Sequence, residues 1–291
     1  MVSAGRVAAA PISWGVCEVA GWGHQLAPER VLEEMRELGF AAAEFGPPGF
    51  LPPDPAGRAA TLRRYGLRAV GGFLAVVLHD AARDPMPLVL SELDAFVAAG
   101  ADTLVLAAAT GVDGYEQRAE LTAAEWETLF GNVAAVTERA GERGVRVAVH
   151  PHVGTAIERP AEVGRLLDGS PATLCLDTGH LLVGGTDPVE LARTAAGRVS
   201  HVHLKDVHAS LAERVRDGRL GYLETVRQGL FAPLGEGDVD VTAIVDALDA
   251  VDYQGWYVLE QDLVLTGEPP PGTGPRDDVA LSLRFLTGSA A

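Results

Sequence analysis

Cysteine is almost absent: the 291-residue chain holds two, Cys17 and Cys175, far apart and outside any CxxC spacing. That argues against a disulfide framework and a thiolate metal site, and makes a reducing cytoplasm the expected setting. Basic residues are scarce too, 23 Lys plus Arg against 40 Asp plus Glu, for a formal net charge of −17, and no basic run could track a phosphate backbone. Nucleic acid is therefore not an expected partner. No apolar stretch reaches the length of a membrane span, and the segment from Met1 to Ala10 runs into Pro11 and Ser13 without the apolar core of a secretory signal. Aromatic residues make up only 6% of the chain, but hydrophobic residues reach 47%, enough for a large core with no fibrous or disordered bias.

What is present is an alternation of short apolar runs with longer segments of helical period, sustained to the end of the chain. Strands are expected at about 7–14, 41–45, 68–77, 103–109, 145–150, 173–177, 199–204 and 256–260. Helix ends are legible between them. Pro28 opens a helix that Gly39 closes, Thr122 and Glu125 form a capping box for one reaching about Ala140, and Asp187 with Pro188 starts another. An eightfold β/α count in this length predicts a closed (β/α)₈ TIM barrel, a single domain over residues 1–291. An insertion at about 207–238 is expected to form one extra helix and a Gly-rich turn, as a lid over the mouth.

Barrel strands put apolar residues outward against helices, so polar residues of inward parity near a strand's C-terminal end mark the chemistry. Val202 and Leu204 share one parity and His201, His203 and Lys205 the other. By the same test His150, His152 and Asp177 face inward, and Glu260 and Glu44 are placed at the ends of their strands, so five strands deliver ionisable groups to one mouth. So many acids and imidazoles with few neighbouring cations would repel one another unless a Mn²⁺-, Co²⁺- or Zn²⁺-like ion were present.

The motifs Cys175-Leu176-Asp177-Thr178-Gly179-His180 and His201-Val202-His203-Leu204-Lys205-Asp206, with the late Glu260, resemble the sugar isomerase/epimerase superfamily of xylose isomerase-like barrels. Ala10 to Trp14, His150 to Thr155, Tyr222 to Gly229 with Phe231, and Glu260-Gln261-Asp262 are most similar to its inosose dehydratase group. The resemblance implies a divalent metal, Mn²⁺ or Co²⁺ ahead of Mg²⁺ or Zn²⁺, on Asp177, His203 and Glu260. Most members carry Glu for the fourth ligand at the end of strand five. This sequence has His150 there, with His152 as the other candidate, and the missing carboxylate argues against a plain epimerase.

The resemblance further implies substrate contacts at Trp14, Glu44, His180, Asp206 and Arg227. The implied reaction is dehydration of a keto-inositol through an enediolate, with Glu260 or His152 as base and His180 or Lys205 as acid or enediolate partner. The rival readings are a ketose or keto-sugar 3-epimerase or isomerase, a 3-keto-glycoside lyase, a metal-dependent phosphodiesterase opposed by the acidic charge, and a sugar-binding barrel without turnover. The expected partner is a small polyol or keto-sugar, with homo-oligomerisation left open.

Overall fold

In a computed structural model that describes residues 1–288, the apolar runs pair in sequence order as parallel strands. Residues 289–291, the end of the expected domain, lie outside the described residues. The strands are β1 (Val7–Ala9), β2 (Ala42–Ala43), β3 in two parts (Arg68–Ala69 and Gly71–Val76), β4 (Thr103–Ala108), β5 (Arg146–Val149), β6 (Thr173–Asp177), β7 (Val199–Leu204) and β8 (Tyr257–Leu259). Each pairs with the next, and β1 pairs with β8, so the ring closes. The first part of β3 bonds to β2 and the second to β4, with the break at Val70. The result is the expected (β/α)₈ barrel.

Residue size explains both faces of the strands. Val147, Val149, Leu174, Leu176, Val202, Leu204, Tyr257 and Leu259 join the large core between strands and helices. Inside the barrel, Ala8, Ala10, Ala42, Val70 and Val258 form one small cluster, and Val105, Ala148 and Cys175 another. These short side chains fill the narrow interior, and polar groups take over only toward the C-terminal ends.

Helix starts follow local chemistry. The Thr122–Glu125 capping box opens the helix Ala123–Gly141, and Asp187 caps Pro188–Ala195 through its side chain. Two expectations need correction. The first strand stops at Ala9, because Pro11 opens a 3₁₀ turn over Pro11–Trp14 that ends on Gly15 at φ 75°. The insertion after β7 holds two short helices, Ala209–Arg216 and Tyr222–Arg227, rather than one, followed by Phe231–Ala232, which pairs back antiparallel on Asp206–Val207. Among the described residues no helix is long and apolar enough to cross a membrane.

The break in β3 sets a stability prediction. A methyl group on Gly71 would run into the backbone carbonyl of Thr103 on β4, where neither strand can give way without opening the ring. Gly71→Ala is expected to destabilise by about 1–3 kcal/mol in urea unfolding. A variant with the parent's midpoint would show that the strand shifts freely here.

Candidate functional site

Parallel register brings the donors together. Asp177 at the end of β6 is paired with His203 on β7, and His203 with Val258 on β8, so Glu260 emerges two residues further on from the same side. His150 follows β5 directly, its N–H bonded to Leu106. His203 Nδ1 lies 3.2 Å from Glu260 Oε2, 3.5 Å from Asp177 Oδ2 and 3.2 Å from His150 Nε2, and His150 Nε2 lies 3.3 Å from Asp177 Oδ2. A four-coordinate ion with bonds of about 2.1 Å spaces its ligands about 3.4 Å apart, so His203 Nδ1 stands from each of the other three donors, and His150 from Asp177, at the separation of neighbours in one coordination shell.

The donor chemistry fits as well. Glu44 Oε1 lies 3.1 Å from His203 Nε2, and as a carboxylate it can only accept, so Nε2 carries a proton and Nδ1 is the ring nitrogen turned toward the other donors. Mixed imidazole and carboxylate donors suit a borderline divalent ion. Cys175 is buried nearby, but burial pushes its thiol up to about 11, which keeps it protonated and unlike a thiolate ligand. His150 rather than His152 lies in the donor cluster.

Lys205 supplies the compensating cation. Its Nζ lies 2.6 Å from Glu260 Oε2, 3.0 Å from Asp262 Oδ1 and 3.2 Å from Asp177 Oδ2. Burial opposes its charge, but these three carboxylates hold its pKa well above the usual value. Burial works against ionised Asp177 as well, yet Lys205 and the surrounding imidazoles hold it well below the ordinary range; Glu260 is lowered against the same opposition by His203 and Lys205. For His152 and His180 burial dominates and drives both well below the usual imidazole value, leaving them neutral.

A cavity of about 280 Å³ opens onto this cluster, lined by Glu44, His150, His152, His203, Lys205 and Glu260 among the expected residues. His152 donates from Nδ1 to the Val153 carbonyl at 2.6 Å, which leaves its Nε2 unprotonated. Its ring lies against both Tyr115, 4.3 Å between centroids, and His180, 3.7 Å. Asp177 and His180 lie outside the lining, with His180 Nε2 3.3 Å from Lys205 Nζ.

Three expected substrate contacts are placed elsewhere. Trp14 is turned by the 3₁₀ segment into the helical layer, fully buried, with its indole N–H bonded to Glu34 at 2.8 Å. Asp206 points away from the cavity, and its carboxylate accepts the backbone N–H groups of Val207, Gly235, Gly237 and Val239. That set organises the turn that ends the insertion and leaves no oxygen for substrate. Arg227 is exposed, 4.0 Å from Glu224 and bonded to the Gly21 carbonyl, outside the cavity lining.

Several cavity residues were absent from the expected set. Asp262 is buried, pairs with Lys205 and accepts the Tyr222 hydroxyl at 2.7 Å, which ties the insertion to the site. Its parity with Glu260, two residues earlier, was the available signal. Tyr115, hydrogen-bonded to Glu18, comes from an irregular loop where no periodicity marks direction.

Fold and site together define a (β/α)₈ barrel with a histidine–carboxylate centre, fit for one divalent ion, at its C-terminal mouth. The chain belongs to the xylose isomerase-like TIM barrel family, whose model matches residues 32–286. It is 32% identical over 270 residues to the inosose dehydratase of Geobacillus kaustophilus, covering 88% of this chain and 87% of that one. It is 34% identical over 266 residues to the rhizopine catabolism protein MocC of Rhizobium meliloti, covering 88% and 81%. A solved structure of the IolI protein with a bound zinc atom superposes at a TM-score of 0.69, with 12% identity and 97% of each chain covered. At that identity the last likeness concerns the fold.

The Asp206 assignment is testable. Asp206→Ala removes the acceptor for four buried or half-buried N–H groups, and each buried donor left unpaired costs about 1–3 kcal/mol. Expected outcomes are a lower melting temperature and faster protease cleavage between 207 and 239. Unchanged stability with a raised KM would return Asp206 to the substrate.

Proposed function

We propose that the protein is a divalent-metal-dependent hydro-lyase that dehydrates a cyclic polyhydroxylated ketone of the keto-inositol class. The convergence of His150, Asp177, His203 and Glu260 beside a cavity holding a neutral imidazole and a fixed ammonium carries this reading. The inosose dehydratase name of a relative aligned over most of the chain selects dehydration within it. The same four residues would hold the metal, Mn²⁺ or Co²⁺ in preference to Mg²⁺ or Zn²⁺. A divalent ion bound there supplies Lewis acidity to a carbonyl and its neighbouring hydroxyl, which makes the α-proton of such a ketone removable at neutral pH.

The chain's own groups account for the proton transfers. His152 Nε2 faces the reaction as a neutral base, because its Nδ1 proton is committed to Val153 and burial disfavours the imidazolium. It takes the α-proton, the C=C bond forms as the β C–O bond breaks, and the same proton passes from Nε2 to the departing oxygen, which leaves as water. Lys205 keeps its proton throughout and balances the negative charge that builds on the substrate oxygen. Glu260, whose Oε2 already faces His203 and Lys205, orients these groups rather than serving as the base. His180 backs the His152 ring and positions Lys205. The insertion acts as a lid through Tyr222 and Asp262, and the free Cys17 and Cys175 suit a cytoplasmic setting.

Asp177→Asn and Glu260→Gln are each expected to reduce turnover of a keto-inositol by about a thousandfold or more while keeping the fold, because each weakens the hold on the metal. Chelation should abolish activity, and added Mn²⁺ or Co²⁺ should restore it. Product analysis decides the reaction. Dehydration yields a dione or its enol with new ultraviolet absorbance, whereas an isomer without new absorbance would mean epimerisation, and activity after exhaustive chelation would end the metal reading.

His152→Gln tests the base assignment separately. It should cut kcat by about a hundredfold or more, typical for loss of a general base, while Co²⁺ binding stays at the parent level. Near-parent kcat would move the base role to another residue.

A further inference from the structure

We propose that Glu44 and His201 are a positioning pair for His203, fixing which ring nitrogen it presents to the metal, rather than contacts to substrate. This rests on the metal-centre reading above. Glu44 follows β2, and His203 lies on β7, with β1 and β8 between them in the ring. The inward residues on those intervening strands are short, Ala8 and Val258, as is Ala10 just past β1, so a glutamate can reach across the barrel interior. Glu44 is buried and its single oxygen Oε1 lies 2.7 Å from His201 Nε2 and 3.1 Å from His203 Nε2. One carboxylate oxygen has lone pairs for both, and both ring nitrogens must therefore carry protons.

For His203 the consequence is direct. With Nε2–H held by Glu44, Nδ1 is the ring nitrogen left to offer a lone pair to a metal, and it faces the space shared with His150, Asp177 and Glu260. The other neutral tautomer would aim an N–H at the metal position and leave Glu44 facing a bare nitrogen. A carboxylate behind a ligating imidazole also raises its basicity as a ligand. His201 does a different task. Its Nδ1 is buried without a hydrogen-bond partner among the described residues, so its polar contact is Glu44. A fully buried imidazole with one partner and no route to the cavity serves to hold that partner in place, and His201 thereby keeps Oε1 aimed at His203.

The test is a Co²⁺ titration of chelator-treated protein, read by the visible absorption of the bound ion, with the melting temperature of each metal-free variant measured alongside. Glu44→Ala should weaken Co²⁺ binding about 10–100-fold. Glu44→Gln, which keeps an acceptor oxygen, should lose much less. His201→Leu should weaken binding in the same direction as Glu44→Ala, and His201→Gln, whose amide N–H₂ can replace the Nε2 donor, should recover it. Parent-like Co²⁺ affinity in Glu44→Ala or in His201→Leu, or a Glu44→Ala whose only change is a raised KM, would overturn the pair's role. A parent protein that binds no Co²⁺ would overturn the metal-centre reading itself, which distinguishes the two failures.

Discussion

Mutual repulsion among buried carboxylates is the constraint on which the rest of this molecule depends. Glu44, Asp177, Glu260 and Asp262 converge on one end of the barrel, and among the described residues Lys205 is the only lysine or arginine ion-paired to them. Burying ionised groups is costly unless opposite charge and hydrogen bonds compensate, and a single ammonium shared among three acids compensates only in part. The remaining field favours positive charge, and it raises the pKa of His203 well above its usual value even though burial opposes that. A divalent ion satisfies the same field while leaving the imidazoles neutral.

The barrel makes that concentration of charge tolerable. Eight strands in continuous parallel pairing hold the donors on a frame that cannot splay apart without breaking the ring, and a thick apolar layer outside the strands anchors it. The strain of like charges is therefore met by rigid backbone rather than by side-chain relaxation, which is the usual requirement for a preorganised site. The loops are assigned a different share of the work. The insertion reaches the site through Tyr222 and Asp262, and Asp206 stiffens its return, so one acidic side chain of the HVHLKD motif is spent on loop structure while its neighbour Lys205 serves the cavity.

Much of this was legible in the residues. Alternation along β5 to β8 fixed which side chains face the axis, because a two-residue period leaves one choice once the apolar face is known. Asp177, His203, His150 and Lys205 were placed toward the axis that way, and Glu260 by its position at the end of its strand. The reading failed where the backbone leaves regular geometry. Trp14 would share inward parity if β1 ran on to it, but the 3₁₀ turn at Pro11 rotates it into the helical layer. Asp206 has the outward parity of Val202 and Leu204 and was expected at the substrate only from the family resemblance; the structure keeps it away from the cavity, as its parity requires.

The sequence by itself determined the eight β/α units, the closed barrel and the inward set of acids and imidazoles, because periodicity, capping residues and strand-end polarity are local properties of the chain. Tertiary structure alone decided that His150 and not His152 joins the donor cluster, that Glu44 reaches His201 and His203 across the barrel, and that Asp262 and Tyr222 close on Lys205. Those are contacts between residues distant in sequence. They depend on strand register, barrel curvature and loop path, which no local pattern encodes.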